Sequence, residues 1–154
     1  MPPRPFRAEE PYDWEGLLAL IRSEFAYMDG RIDPPSSMHR LTAGDLARQA
    51  EEGEIWVIGA PAQACVVLTP KKDALYIGKL AVAGAQRGKG LARALVERAE
   101  ERARMLGYRE VELQVRVELV ENQQAFAALG FRQVAATAHP GYSRPTSLTF
   151  RKTV

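Results

Sequence analysis

Cysteine and histidine are almost missing from this sequence. Cys65 is the sole cysteine and stands inside the apolar run "AQACVVLTP", so no intramolecular disulfide can form and a cysteine cage for a metal is excluded. Its expected place is a buried strand, which makes it a poor nucleophile. His39 and His139, the only histidines, lie 100 positions apart, so no metal cofactor is expected. No apolar run approaches the roughly 20 residues that span a bilayer. The start, "MPPRPFRAEEPYDW", has no apolar leader core, so a cytoplasmic protein without a membrane partner is expected. Charge of one sign is lacking too. Twenty-one basic against 19 acidic residues give a net charge of +2, too balanced for a general nucleic-acid binder. Repeats, low-complexity tracts and linkers are absent, and 154 residues suit a single domain, 1–154.

What is present reads as alternating layers. "PFRAEEP" suits a short edge strand. In "YDWEGLLALIRSEFAYM", Trp14, Leu17, Leu18, Ile21 and Phe25 recur at helical spacing behind Asp13 as N-cap. "DGRIDPPSSMHR" breaks structure, and "LTAGDLARQAEEG" is a second helix opened by Thr42 and Asp45. "EIWVIGA" and "AQACVVLTP" make a hairpin-like pair, followed by the strand "ALYIGKLAV". A helix from Gly90 to Leu106 ends at Gly107. "REVELQVRV" alternates, with Val111, Leu113, Val115 and Val117 on one face and Glu110, Glu112, Gln114 and Arg116 on the other. The helix "NQQAFAAL" and the strands "FRQVAATA" and "TSLTFRK" follow. The expected order is β-α-α-β-β-β-α-β-α-β-β. This is a mixed α/β protein whose twisted, mostly antiparallel sheet of six or seven strands has helices on both faces and one parallel crossover.

The stretch "AVAGAQRGKGLARALVERAEERA" carries the chemistry. A strand, a glycine-rich turn and a helix start gather backbone N–H groups at the positive end of a helix, where an anion binds. Gly88 and Gly90 allow close approach, while Arg87, Lys89 and Arg93 add charge. Two nucleotide motifs fail by spacing. Only three residues separate Gly84 from Gly88-Lys89, and Gly90 stands where a phosphate loop needs Ser or Thr. Arg93 stands where the dinucleotide fingerprint needs its third glycine.

The strand before the turn breaks parity. Leu75 and Ile77 share one face, yet Leu80 and Val82 have the opposite parity. All four can face one core only if an extra residue intrudes near Gly78-Lys79, so a β-bulge is expected there.

These residues resemble the GNAT superfamily of acyl-CoA-dependent N-acetyltransferases. Its signature, Gln/Arg-x-x-Gly-x-Gly/Ala, matches Arg87 to Ala92, and "ENQQAFAALGF" is similar to its later motif. The order of elements matches from "PFRAEE" to "TFRK". The resemblance implies acetyl-CoA as co-substrate, with direct transfer to a primary amine and no covalent enzyme intermediate. By the same resemblance the backbone of Leu80, Ala81 and Val82 meets the pantetheine arm and the acetyl carbonyl. Arg87, Gly88, Lys89, Gly90, Leu91 and Ala92 cradle the diphosphate, and Asn122 and Phe126 flank the thiol end.

Phe126 departs from the pattern, since many members carry there a Tyr that can protonate the leaving thiolate. Tyr142 and Tyr108 are substitutes, as is solvent, because a thiol of pKa near 8.5 leaves tolerably well. Glu112 is the expected base, with Glu118, Glu121, His139 or a water chain as alternatives. Tyr27, Asp33, Ser36, His139 and Tyr142 are the candidate acceptor-binding residues, joined by Asp29 and Arg144. A small-molecule amine is the expected acceptor, ahead of a protein N-terminus or lysine. The rival class is a non-catalytic acyl-CoA-binding module, which Phe126 favours. A homodimer is compatible with the resemblance.

Overall fold

The computed structural model describes residues 4–154; the first three residues of the start read above for a leader lie outside it. Seven strands form one sheet in the order β1-β2-β3-β4-β5-β7-β6. They are β1 (Phe6–Arg7), β2 (Glu54–Ile58), β3 (Ala64–Pro70), β4 (Leu75–Val82), β5 (Glu110–Arg116), β6 (Arg132–Thr137) and β7 (Ser147–Thr153). Every neighbour pair is antiparallel except β4 and β5, joined by the crossover helix α3 (Leu91–Met105). Order and mixed topology agree with the sequence reading.

Two helices cover one face. In α1 (Trp14–Ala26) the Asp13 side chain accepts the Gly16 N–H, and Trp14, Leu17, Leu18 and Ile21 are buried. In α2 (Ala43–Glu52) Thr42 and Asp45 close a reciprocal capping box. They bury Leu46 and Ala50 with Ile55, Val57, Cys65 and Val67 of the sheet. The other face packs Leu75, Ile77, Val111, Leu113 and Val115 against Leu91, Leu95, Val96 and Ala99 of α3. Helix α4 (Val120–Ala128) adds Phe126 to that side and starts two residues before the expected Asn122. On the α1/α2 side no helix among the described residues covers the half of the sheet made by β5, β7 and β6. There an open groove of ≈ 400 Å³ runs past Glu112, Gln114, Thr149 and Arg151.

The bulge is where parity requires it. Cys65 opposes Ala81 and Val67 opposes Gly78, so three steps along β4 match two along β3. Lys79 takes φ +49, the only non-glycine residue with positive φ among those described. Past this irregularity Leu80 and Val82 rejoin Leu75 and Ile77 on the α3 side, while Ala81 faces α1 and α2.

Candidate active site

The parallel pairing of β4 with β5 consists of two rungs, Leu75 opposite Val111 and Tyr76 opposite Glu112. Beyond them the strands part. The bulge turns β4 away, so its later residues and those of β5 from Leu113 onward border a gap between separated backbones. The gap runs from the Tyr76–Glu112 rung toward the glycine turn.

That turn is built for an anion. Gly88 and Gly90 adopt φ +79 and +80, and Gly90 caps α3 without a side-chain hydrogen bond. From Gly88 to Ala92 no backbone N–H has an acceptor among the described residues. A Cβ built on Gly84, Gly88 or Gly90 would meet nothing within 4 Å, so an open cradle lies beside a helix N-terminus. The shape and the unpaired donors fit the diphosphate that the resemblance implies. The basic side chains are partly engaged. Arg87 bonds Glu24 at 2.6 Å and lies 4.7 Å from the Tyr27 ring centre; Lys89 donates to Gln86, and Arg93 pairs with Glu97. The Glu24 hydrogen bond, then its charge, push the Arg87 guanidinium above its ordinary range. Tyr27, expected among the acceptor residues, therefore sits beside the turn instead.

At the other end three chain segments converge. The loop after α1 docks on the end of β5, where Arg116 donates to the Pro34 and Pro35 carbonyls at 2.6 and 3.3 Å. Glu118 accepts the Asp33 N–H at 3.1 Å. From the β6–β7 loop, Tyr142 donates to Asp33 at 2.5 Å and Arg144 lies 3.5 Å from the same carboxylate. That hydrogen bond, then burial and charge, raise the Tyr142 pKa. Asp33 and Tyr142 thus meet across the two loops. Ser36 and His139 do not join them. Ser36 accepts the Met38 N–H and caps a 3-10 turn, Ser37–Arg40. His139 is bound through its backbone N–H and its ring Nδ1 to Thr146, at the neck of the loop.

Two carboxylates near the gap differ sharply. Glu112, the expected base, is 8% exposed and paired with Arg151 at 2.9 Å and Lys71 at 3.7 Å. Its carboxylate oxygens are therefore engaged by two cationic side chains. Glu118 has no ion pair among the described residues, and its Oε1 is buried without a hydrogen-bond partner. Glu121 is occupied by Arg31 at 2.5 Å.

Sequence reading missed two residues here. Gln123 donates to the Arg116 and Val117 carbonyls at 3.2 and 3.0 Å and so ties α4 to the end of β5, whereas the sequence points to its neighbour Asn122. Tyr76 lies on the last rung with Lys71 4.1 Å from its ring centre. Burial, then the Glu112 charge, raise its pKa, and the nearby Gln114 N–H opposes them. The parity pattern treated Tyr76 only as a strand residue, so no signal marked it. Phe126 stacks edge-on against Phe131 at 5.8 Å, in the core on the α3 side.

The model of the acetyltransferase (GNAT) family matches residues 14–131. Comparison with curated proteins finds no significant match. Among solved structures, an acetyltransferase from Streptococcus agalactiae superposes with TM-score 0.74 at 18% identity, covering 98% of both chains. A Bacillus subtilis acetyltransferase in complex with CoA gives 0.69 at 20%, covering 99% of both. The ribosomal-protein-S18-alanine N-acetyltransferase of Escherichia coli gives 0.69 at 16%, covering 97% of this chain and 93% of that one.

Proposed function

The chain belongs to the GNAT family of acetyltransferases, and we propose that it moves an acetyl group from acetyl-CoA directly to the primary amine of a small molecule. The observation that carries this reading is the gap between β4 and β5, which ends at a glycine turn whose N–H groups from Gly88 to Ala92 have no acceptor. The diphosphate binds those donors, with Arg87, Lys89, Leu91 and the glycines forming the cradle. The arm then runs into the gap along Leu80, Ala81 and Val82, while Asn122 and Phe126 border it from α4.

The acceptor enters from the α1/α2 side. Asp33 and Tyr142 bridge two loops across that end, which favours a small amine over a polypeptide needing an open trough. The amine must shed a proton before attack. We assign the proton to Glu118 rather than Glu112, because Glu112 is committed to Arg151 and Lys71. Glu112 then serves to order the strands beside the acyl group. The departing thiolate takes its proton from solvent or from Tyr142. Cys65 takes no part, since burial pushes its thiol up to about 12.

Calorimetric titration with coenzyme A, then thiol release from acetyl-CoA with small amines and with peptides, tests the reading. Binding followed by release with small amines supports it. Release with peptides alone moves the acceptor class to proteins, and absence of coenzyme A binding sinks the site.

A further inference from the structure

Lysine is scarce in this chain: five residues, against sixteen arginines. Lys71 pairs with Glu112, Lys152 with Glu100, and Lys89 donates to Gln86. Lys72 is exposed on a turn. Lys79 differs from all four, because it is half-buried and its Nζ has neither an ion pair nor a hydrogen bond among the described residues. Residues 1–3, outside the description, carry no acidic side chain.

Its backbone is costly as well. A side chain at φ +49 costs on the order of 1 kcal/mol, and glycine would hold the position more cheaply. The bulge sets Lys79 directly before Leu80, and its ammonium lies within Coulombic range of Asp45 on α2 and of Cys65, both on the α1/α2 side. Leu80 and Val82 face the opposite side. The acceptor is proposed above to enter from that same α1/α2 side, so an amine there lies on the acceptor's approach to the acyl group. Burial, the largest influence, lowers the Lys79 pKa against the opposing charge of Asp45, so more of its amine is neutral than on a surface lysine.

We infer that Lys79 is itself an acyl acceptor, a self-acetylation site beside the acyl-binding gap; this rests on the acetyl-CoA reading above. The neutral Nζ bonds to the thioester carbonyl carbon and the C–S bond breaks. Coenzyme A departs as the thiolate with that electron pair, and the proton lost from the new amide nitrogen passes to it through solvent. The acetylated side chain is neutral and longer, and it occupies the approach an amine would use. Acetyl-CoA in excess over acceptor would therefore slow the enzyme.

Purified protein is incubated with acetyl-CoA and mapped by peptide mass spectrometry, with coenzyme A affinity measured in parallel by calorimetry. The expected result is one acetyl group on Lys79, gained severalfold faster than on the exposed Lys72. Excess coenzyme A suppresses it, and Lys79→Arg abolishes it while still binding coenzyme A. Coenzyme A binding with Lys79 unmodified, or modified no faster than Lys72, overturns the inference alone. Loss of coenzyme A binding in the unaltered protein overturns the acetyl-CoA reading with it.

Discussion

Arg87 in the glycine turn and Glu24 near the end of α1 form a 2.6 Å ion pair, with the Glu24 side chain only 12% exposed. The helix that leads into the acceptor loop is thereby fastened to the anion cradle. The Arg87 charge is spent on Glu24, so backbone N–H groups carry most of the diphosphate's binding. Glu24→Gln leaves Arg87 unneutralised beside the anion. Coenzyme A should then bind about threefold to tenfold tighter, with a steeper salt dependence. Calorimetry at two ionic strengths checks this, and weaker binding would show that the clasp positions the turn.

Gly90 is a stricter requirement. At φ +80 a branched side chain is strained by about 1–3 kcal/mol, and its Cβ projects into the open cradle. Gly90→Val should lower the melting temperature by several degrees and abolish measurable coenzyme A binding. Unchanged affinity would remove the turn from the site.

The two glutamates separate by kinetics. Glu118→Gln keeps an acceptor for the Asp33 N–H but cannot take a proton. Turnover with any accepted amine should fall by about 10²-fold or more, with coenzyme A affinity kept. Glu112→Gln should cost stability through its lost ion pairs and leave turnover within a few-fold of the unaltered protein. The reverse pattern would restore Glu112 as base.

Glu54 and Arg102 lock β2 to α3 through two hydrogen bonds of 2.7 and 2.8 Å, and Trp56 Nε1 adds a third at 2.9 Å. Burial alone would raise the Glu54 pKa, but the Arg102 and Trp56 hydrogen bonds outweigh it and the net direction is down. A depressed carboxylate stabilises the fold above its ordinary value of 4.5, and that contribution is lost as pH falls through the lower folded value. Arg102→Met should destabilise by about 3 kcal/mol, because it strands a buried charge. It should also flatten the acid side of the stability curve, measured by denaturant melts from neutral pH downward.

Cys65 is fully buried, and burial raises its thiol pKa to about 12. A disulfide reagent at pH 8 should leave the native protein unlabelled and label one thiol in denaturant. Rapid native labelling would mean that the β3–β4 bulge region opens.

The helices, strands and their order were readable because each rests on local chemistry: the caps at Asp13 and Thr42, the alternation from Glu110 to Val117, and the glycines that end helices. The bulge was readable too, since Leu75, Ile77, Leu80 and Val82 could share a core only with an extra residue between them. The anion turn was legible for the same reason, as consecutive residues built it. Partnerships across the chain were not. Sequence could not tell that Tyr27 and Glu24 meet Arg87, that Ser36 and His139 serve neighbouring turns, or that Arg151, 39 positions away, neutralises Glu112. Periodicity and spacing determine which face a residue takes and what a turn can bind. Which carboxylate or lysine is left without a partner depends on distant side chains, and only the folded sheet brings those together.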